Sequence, residues 1–223
     1  EKLFERLLCF LEEKVWESRA VDKKDFERLC EKFYRERTAD RIDKFRKKHE
    51  DSSKSVRFRG DTLVPEQLID HIPWSDFKQG VAVRFHGDLQ FDNILYDVES
   101  DKFSLIDIRQ NFAGNTDVGD LYYDLGKLWM GMICDLSRVK KKQFHYEECG
   151  DQVSVEFPEV ALGLQSQFKK YVYSKGLNFE KVQLMAGVIM VNMAPLHAAP
   201  LDKALWYFGL NQIKSFLERK NLN

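Results

Sequence analysis

The sequence predicts an α+β fold that is predominantly α-helical and carries one small β-hairpin near its middle. Apolar residues recur at helical spacing through residues 1–80 and again beyond Gly119. Between these regions, short runs of β-branched and aromatic residues at 81–85, 93–96 and 103–106 predict strands. Hydrophobic residues make up 43% of the 223-residue chain, which is ample for a packed core.

The segment 1–80 is predicted to be helical, with one long loop. A first amphipathic helix is indicated by an apolar stripe formed by Leu3, Leu7, Leu11 and Val15. Asp22 is expected to cap a second helix, and a third helix is expected around Ile42 and Phe45. The charged, serine-rich stretch from Lys47 to Ser55 predicts the loop.

Residues 81–110 are predicted to form a strand, a glycine-containing loop and the β-hairpin. In the hairpin, Asn93 begins one strand and Asp107 follows the apolar end of its partner. Opposed positions of an antiparallel pair are neighbours, so these two side chains can share one cation. The loop that precedes the hairpin carries Asp88, five residues ahead of Asn93.

Phosphoryl transfer from a nucleotide requires this set of groups. One carboxylate receives or orients the hydroxyl proton of the attacking alcohol, and Asp88 is the candidate. An amide oxygen and a second carboxylate hold magnesium on the nucleotide phosphates, and Asn93 and Asp107 are the candidates. A carboxylate after an apolar strand is costly to bury unpaired, which also favours a cation near Asp107.

Three linked motifs resemble those of the aminoglycoside phosphotransferase and choline kinase-like family, which has a protein-kinase-like fold. The stretch HGDLQFDN at 86–93 resembles that family's H-G-D-x-x-x-x-N catalytic loop. The stretch LIDIR at 105–109 occupies the place of its I-D-x-G-type metal motif, and GDLYYDLGKL at 119–128 resembles its G-D-x-x-x-D-L-A helix start. The resemblance implies ATP, with GTP not excluded, and Mg²⁺ as cofactors.

The resemblance also implies a role for individual residues. Asp88 is expected to be the catalytic base, and Asn93 and Asp107 are expected to bind the cofactor through magnesium. His86 is expected to support the catalytic loop. Asp124, in the first turn of the helix that follows Asp120, is expected to brace the backbone of that loop, as a carboxylate does in relatives.

The acceptor is expected to be a small hydroxyl compound, and two classes of compound remain open. The candidate contacts to the acceptor or to phosphate are Gln90, Asp92, Arg109 and His197. The acidic residues Asp92, Asp117 and Asp120 would suit a cationic amino alcohol or an aminoglycoside. Arg109, where many relatives carry a small residue, and the basic stretch 35–41 would suit a sugar, a sugar phosphate or a sugar acid. Of these two classes of acceptor, the sugar class is slightly favoured.

Two features of the N-terminal lobe of kinase-like enzymes are missing from this sequence. Its twelve glycines form no G-x-G-x-x-G pattern, and no strand carries a V-A-I-K-like lysine. The chain also begins at Glu1 directly in an amphipathic helix. We therefore expect a protein-kinase-like C-terminal lobe whose N-terminal lobe is supplied in cis or in trans.

Residues 111–223 are predicted to form a helical, acceptor-binding subdomain of the same lobe. Asp120 is a good N-cap for a helix with an apolar side. The alternation within 140–158 predicts a hairpin or loop insertion. Two further helices are expected, one around Met185 and one around Phe208.

Composition excludes several other classes of protein. The net charge of −1 provides no global field that would attract nucleic acid or an anionic membrane. The longest apolar run, 184–196, is interrupted by Asn192 and Pro195 and is shorter than the ~20 residues that a membrane span needs. The four cysteines match no zinc-binding pattern, which favours a reduced, cytoplasmic protein.

Two alternative functions remain open at this point. The chain could be a nucleotide-binding pseudokinase or an interaction fragment, because the phosphate-binding loop and the bridging lysine are missing. It could also be a metal-dependent phosphoesterase that uses His86, Asp88 and Asp107, although further metal-ligand histidines are lacking nearby. Product analysis with nucleotide, with and without magnesium and acceptor, discriminates among these functions.

Overall fold

The computed structural model describes residues 2–221, and helices dominate it. The helices are α1 (Lys2–Lys14), α2 (Lys23–Glu31), α3 (Arg37–Lys48), α4 (Pro65–Asp70), α5 (Trp74–Lys78), α6 (Leu121–Ile133), α7 (Leu136–Lys140), α8 (Leu162–Ser174), α9 (Phe179–Met193) and α10 (Leu201–Asn221). A π-helical turn, Lys32–Glu36, joins α2 to α3. The predicted α+β class with predominant helix is confirmed.

The core lies where α9 packs against both α6 and α10. Every residue of α6 from Tyr122 to Ile133 is buried, so this helix is enclosed on all sides and not only along the apolar side that the sequence predicts. Glycines allow α9 and α10 to approach closely, since a Cβ on Gly209 would lie 2.8 Å from the carbonyl oxygen of Gly187. The enclosed α6 provides a rigid base for the side chains of its first two turns.

In the part of the chain that the structure describes, eight short strands form three separate sheets. The strands are β1 (Val56–Phe58), β2 (Asp61–Leu63), β3 (Ala82–Val83), β4 (Ile94–Asp97), β5 (Lys102–Leu105), β6 (Gly119–Asp120), β7 (His145–Cys149) and β8 (Gln152–Glu156). Four of them form a sheet in the order β2-β1-β8-β7, while β3 pairs with β6 and β4 pairs with β5. The β7–β8 pair confirms the hairpin predicted within 140–158.

The predicted hairpin of β4 and β5 is present, but its register is shifted by one residue, so that Asn93 faces Ile106 and not Asp107. Ile94 lies opposite Leu105, and the Ile106 N–H donates to the Asn93 carbonyl oxygen over 3.1 Å. Asn93 and Asp107 therefore meet at the same end of the hairpin. The strand predicted at 81–85 is shorter than expected, because only Ala82 and Val83 pair with β6.

Three other sequence predictions are corrected by the fold. The segment 1–80 is not entirely helical: β1 and β2 form a hairpin around Arg59 and Gly60, both with positive φ, and β1 pairs with the distant β8. Strands of three residues are too short to show a period in the sequence. The loop predicted to start at Lys47 begins after α3, and α8 adds a third helix beyond the β7–β8 pair. Within the described residues, no helix has the length and apolar character that crossing a membrane requires.

Candidate active site

The loop between β3 and β4 is held in place by Asp124, which projects from the first turn of α6. The backbone N–H groups of His86 and Gly87 each donate to this carboxylate over 2.7 Å, and the indole Nε1 of Trp16 donates over 3.0 Å. The carboxylate is fully buried. Burial raises the pKa of Asp124 to about 6, against the opposing effect of these three hydrogen bonds.

The same loop depends on a glycine immediately before Asp88. Gly87 has a φ of +79°, and a Cβ at this position would lie 2.5 Å from the Cβ of Arg109. Arg109 contacts the loop at two further points, because its backbone N–H donates to the His86 carbonyl oxygen and its Nε donates to the Gly87 carbonyl oxygen. The segment after β5 is thereby fixed against the loop that carries Asp88.

His86 is a buried support of the loop. Its Nδ1 accepts a hydrogen bond from the backbone N–H of Asp88 over 3.2 Å, which requires Nδ1 to be unprotonated. Burial lowers the pKa of His86, and its Nε2 is buried without a hydrogen-bond partner. The neutral ring therefore fixes the backbone at Asp88.

Of the three residues predicted for chemistry, Asp88 and Asn93 are in contact, and Asp107 lies at the same end of the hairpin. Asn93 is buried, and its Nδ2 donates to the Asp88 carbonyl oxygen over 2.9 Å and approaches the Asp88 carboxylate at 3.4 Å. Asp107, one residue beyond the partner of Asn93 in the hairpin, is exposed and has a φ of +55°. Such a left-handed conformation is uncommon outside glycine and is concentrated at functional sites.

These side chains are suited to a magnesium ion that also binds nucleotide phosphates. The Asn93 Nδ2 is engaged with Asp88, which leaves its Oδ1 as the oxygen available to a cation. Asp107 adds an exposed carboxylate. Within residues 2–221, no cluster of three or more His, Cys, Asp or Glu residues could hold a metal. Magnesium commonly takes only one or two protein oxygens and completes its shell with phosphates and water.

Lys127 is a member of this site that was missed at the sequence level. Its Nζ lies 2.8 Å from Asp88 Oδ1, and its side chain is only 6% exposed. It lies one turn beyond Asp124 on α6, so both side chains face the same loop. A lysine inside the apolar stretch LGKLWMGM was the available signal, because lysine is almost never fully buried without a partner.

Tyr123 is buried next to these groups, near the cationic side chains of Lys127, Arg109 and Arg37. Burial alone would raise the pKa of Tyr123, but the charges of Lys127, Arg109 and Arg37 lower it below its ordinary value. The guanidinium of Arg109 lies 5.7 Å from the centre of the Tyr123 ring. The effect of these cationic side chains on the pKa of Tyr123 thus outweighs that of the Asp88 carboxylate.

The remaining candidate contacts occupy different environments. Asp92 is engaged by Lys140, whose Nζ lies 2.6 Å away. Gln90 is half-buried, and its Oε1 is buried without a hydrogen bond. His197 is half-buried beyond α9, where burial lowers its pKa; the charge of Asp202 opposes this effect and that of Lys127 adds to it.

Asp120 is not available to a cationic acceptor, contrary to expectation. It is fully buried, where its carboxylate accepts hydrogen bonds from the backbone N–H groups of Val81 and Tyr122 and from the Tyr34 hydroxyl. The predicted N-cap on α6 is confirmed, and the same carboxylate also joins β3 to the helix. Asp117, by contrast, is exposed.

A known protein family matches the part of the chain that carries this site. The model of the phosphotransferase enzyme family matches residues 18–152, which is more than half of the chain. The matched region contains every candidate site residue except His197. No curated protein and no solved structure shows a significant match to the chain.

Proposed function

The chain belongs to the phosphotransferase enzyme family, and we propose that it transfers the γ-phosphoryl group of ATP to a hydroxyl of a small molecule in the presence of Mg²⁺. The observation that carries this proposal is the convergence of Asp88, Asn93 and Asp107 at one end of the β4–β5 hairpin. A general base beside two metal ligands is the arrangement that phosphoryl transfer to an alcohol requires.

In the proposed reaction, Asp88 orients the acceptor hydroxyl and receives its proton. The bond between the acceptor oxygen and the γ-phosphorus forms while the bond from that phosphorus to the bridging oxygen breaks. Asn93 and Asp107 would hold the metal, which supplies charge neutralisation on the phosphates. Asp124 and His86 position the loop by fixing its backbone N–H groups.

Lys127 adds a buried positive charge beside the proposed base. Its ammonium group engages one carboxylate oxygen of Asp88 and leaves the other near Asn93. An ammonium group fixed there before the reaction can stabilise the negative charge of the transferring group without reorganisation. We therefore assign Lys127 to the reaction as an electrostatic group.

The exposed face of the hairpin provides a surface for the nucleotide base. Leu95 is 49% exposed and Ile106 is 41% exposed, and both flank the Asn93 end of the hairpin. Because the sequence has no glycine-rich phosphate loop and no bridging lysine of the usual kind, we propose that a further lobe, in cis or in trans, covers this face and fixes the phosphates. The chain alone is then expected to transfer phosphate slowly.

The assay of this function measures two products together. ATP and Mg²⁺ are incubated with a panel of sugars, sugar acids, amino alcohols and aminoglycosides, and ADP and phosphorylated acceptor are quantified. Equal amounts of the two products, dependent on Mg²⁺, are expected for at least one acceptor. ADP formation that is independent of every acceptor would indicate hydrolysis and would contradict the proposal.

One observation favours a nucleotide-binding module without transfer as the second candidate. In the structure, Lys127 already engages Asp88, the group that would receive the acceptor proton. If this pair persists when nucleotide is bound, the base stays blocked. Tight, Mg²⁺-dependent binding of ATP with no product for any acceptor, even when the missing lobe is supplied, would support this candidate.

A further inference from the structure

A pocket rich in arginine lies against the loop that carries Asp88. It has a volume of about 360 Å³ and lies between the π-helical turn, the start of α3 and the segment after Asp107. Its charged lining consists of Lys32, Glu36, Arg37, Arg41 and Arg109. Four of these five side chains are cationic, in a protein whose net charge is −1.

The three guanidinium groups lack carboxylate partners. Among the described residues, neither Arg37, Arg41 nor Arg109 forms a salt bridge, and the Arg41 Nε is buried without a hydrogen-bond acceptor. Burial lowers the pKa of Arg41, and the charges of Arg37 and Arg109 lower it further, against the opposing effect of Asp40. Like charges one helical turn apart destabilise a helix, so this arrangement has an electrostatic cost that an anion would remove.

Aromatic rings hold two of the arginines in place. The guanidinium of Arg37 lies 5.1 Å from the centre of the Phe33 ring, and that of Arg109 lies 5.6 Å from the same centre. Arg109 is also bonded to the Gly87 carbonyl oxygen. Arg37 and Arg109 are therefore held in position before any ligand arrives, which reduces the entropy lost on binding.

The pocket adjoins the part of the site where the acceptor would bind. Arg109 joins it to Gly87, the residue immediately before the proposed base. The proposed metal ligands Asn93 and Asp107 do not line it. An anionic group in the pocket is thus placed beside the base and apart from the side chains that would hold the metal-bound phosphates.

We propose that the pocket of Arg37, Arg41 and Arg109 binds a phosphate or carboxylate group of the acceptor, which is then an anionic hydroxyl compound such as a sugar phosphate or a sugar acid. This inference rests on the proposed phosphotransfer and narrows its acceptor class. Planar guanidinium groups match the paired oxygens of these anions. Cationic amino alcohols and aminoglycosides are disfavoured by the same charges.

The first arm of the test measures binding without catalysis. Inorganic phosphate is titrated by calorimetry into the natural chain and into Arg41→Gln, Arg37→Gln and Arg35→Gln. Arg35 is the matched control, because it is 60% exposed and pairs with Glu31 outside the pocket. Loss of one charged hydrogen-bonding partner is expected to weaken phosphate binding by about 10- to 100-fold in the two pocket variants and not in the control.

The second arm identifies the source of the anion. Competition between ATP with Mg²⁺ and inorganic phosphate would assign the pocket to the nucleotide and overturn the proposal. Independent binding supports an acceptor site. Arg41→Lys, which keeps the charge, should retain more affinity than Arg41→Gln, and thermal melting of each variant checks that the fold is intact.

The third arm compares glucose 6-phosphate, glucuronate and glucose as acceptors. The expected result is transfer to an anionic acceptor with a KM raised at least tenfold by Arg41→Gln and a nearly unchanged kcat. Transfer that prefers glucose or a cationic alcohol would overturn this inference while supporting phosphotransfer. Arginine-dependent phosphate binding with no transfer at all would support the anion site and contradict the proposed function.

Discussion

Replacing Asp124 with alanine tests how the structure supports the catalytic loop. The substitution removes the acceptor of three hydrogen bonds, two from the backbone N–H groups of His86 and Gly87 and one from the Trp16 indole. The site is fully buried, so these donors do not meet bulk water. Each buried donor left unpaired costs about 1–3 kcal/mol.

The net loss of stability depends on pH, because the pKa of Asp124 is raised to about 6 by burial. A carboxyl group with a raised folded-state pKa contributes stability that is complete below its unfolded pKa and is lost as the pH rises through its folded pKa. At pH 7.5, the loss of three bonds is therefore partly offset by removal of a buried charge. We expect Asp124→Ala to cost about 1–3 kcal/mol at that pH. The cost should grow by up to about 1.4 kcal/mol per pH unit between pH 6 and pH 4.

Chemical denaturation at pH 7.5 and pH 5 measures this difference, and the phosphotransfer assay measures its effect on activity. The control is Asp22→Ala, which removes an exposed cap of α2 bonded to the N–H groups of Lys24 and Asp25. That change should cost about 1 kcal/mol and leave transfer unaffected. An Asp124→Ala variant within about 0.5 kcal/mol of the natural chain at both pH values, with normal transfer, would refute the bracing role.

Three further predictions concern the groups around the proposed base. Asp107→Ala should weaken Mg²⁺-dependent binding of ATP more than metal-free binding, and equal losses in calorimetry would contradict its assignment as a metal ligand. Lys127→Met should lower the rate of transfer at least tenfold, because it removes the charge 2.8 Å from Asp88. Lys127→Arg, which keeps the charge, should recover part of the rate. Equal rates for the two variants would argue against an electrostatic role of Lys127. His86→Asn should remove a pH dependence of stability. Burial lowers the pKa of His86, so the stability that this residue contributes to the natural chain is lost as the pH falls below about 6.5. If the free energy of unfolding of the two proteins depended on pH in the same way, that result would count against the buried neutral ring.

The sequence predicted the centre of this molecule better than its periphery. The hairpin followed from alternation and from a polar turn, and it placed Asn93 and Asp107 at the same end, although the register is shifted by one residue. The cap at Asp120 followed from the onset of an apolar helix. Such features depend on residues close in the chain, so local patterns were sufficient.

The features that sequence reasoning missed depend on distant contacts. The β1 strand of three residues is stabilised by its parallel partner β8, almost one hundred residues away. Asp120 looked like a site residue, but its carboxylate accepts hydrogen bonds from the Val81 backbone N–H and from the hydroxyl of Tyr34, which lies 86 residues away in the sequence. The pair of Lys127 with Asp88 likewise joins two segments whose approach no local pattern encodes.

The measurement that tests the central claim most directly is the single-turnover rate of Asp88→Asn with ATP, Mg²⁺ and the best acceptor. The substitution keeps the shape of the side chain and removes the base, so ATP affinity should change little. The rate is expected to fall by about 10²–10⁴-fold, the usual contribution of a general base, while Asp97→Asn on the exposed end of the same hairpin should react normally. An Asp88→Asn variant that keeps more than about a tenth of the natural rate would contradict the assignment of Asp88 as the base.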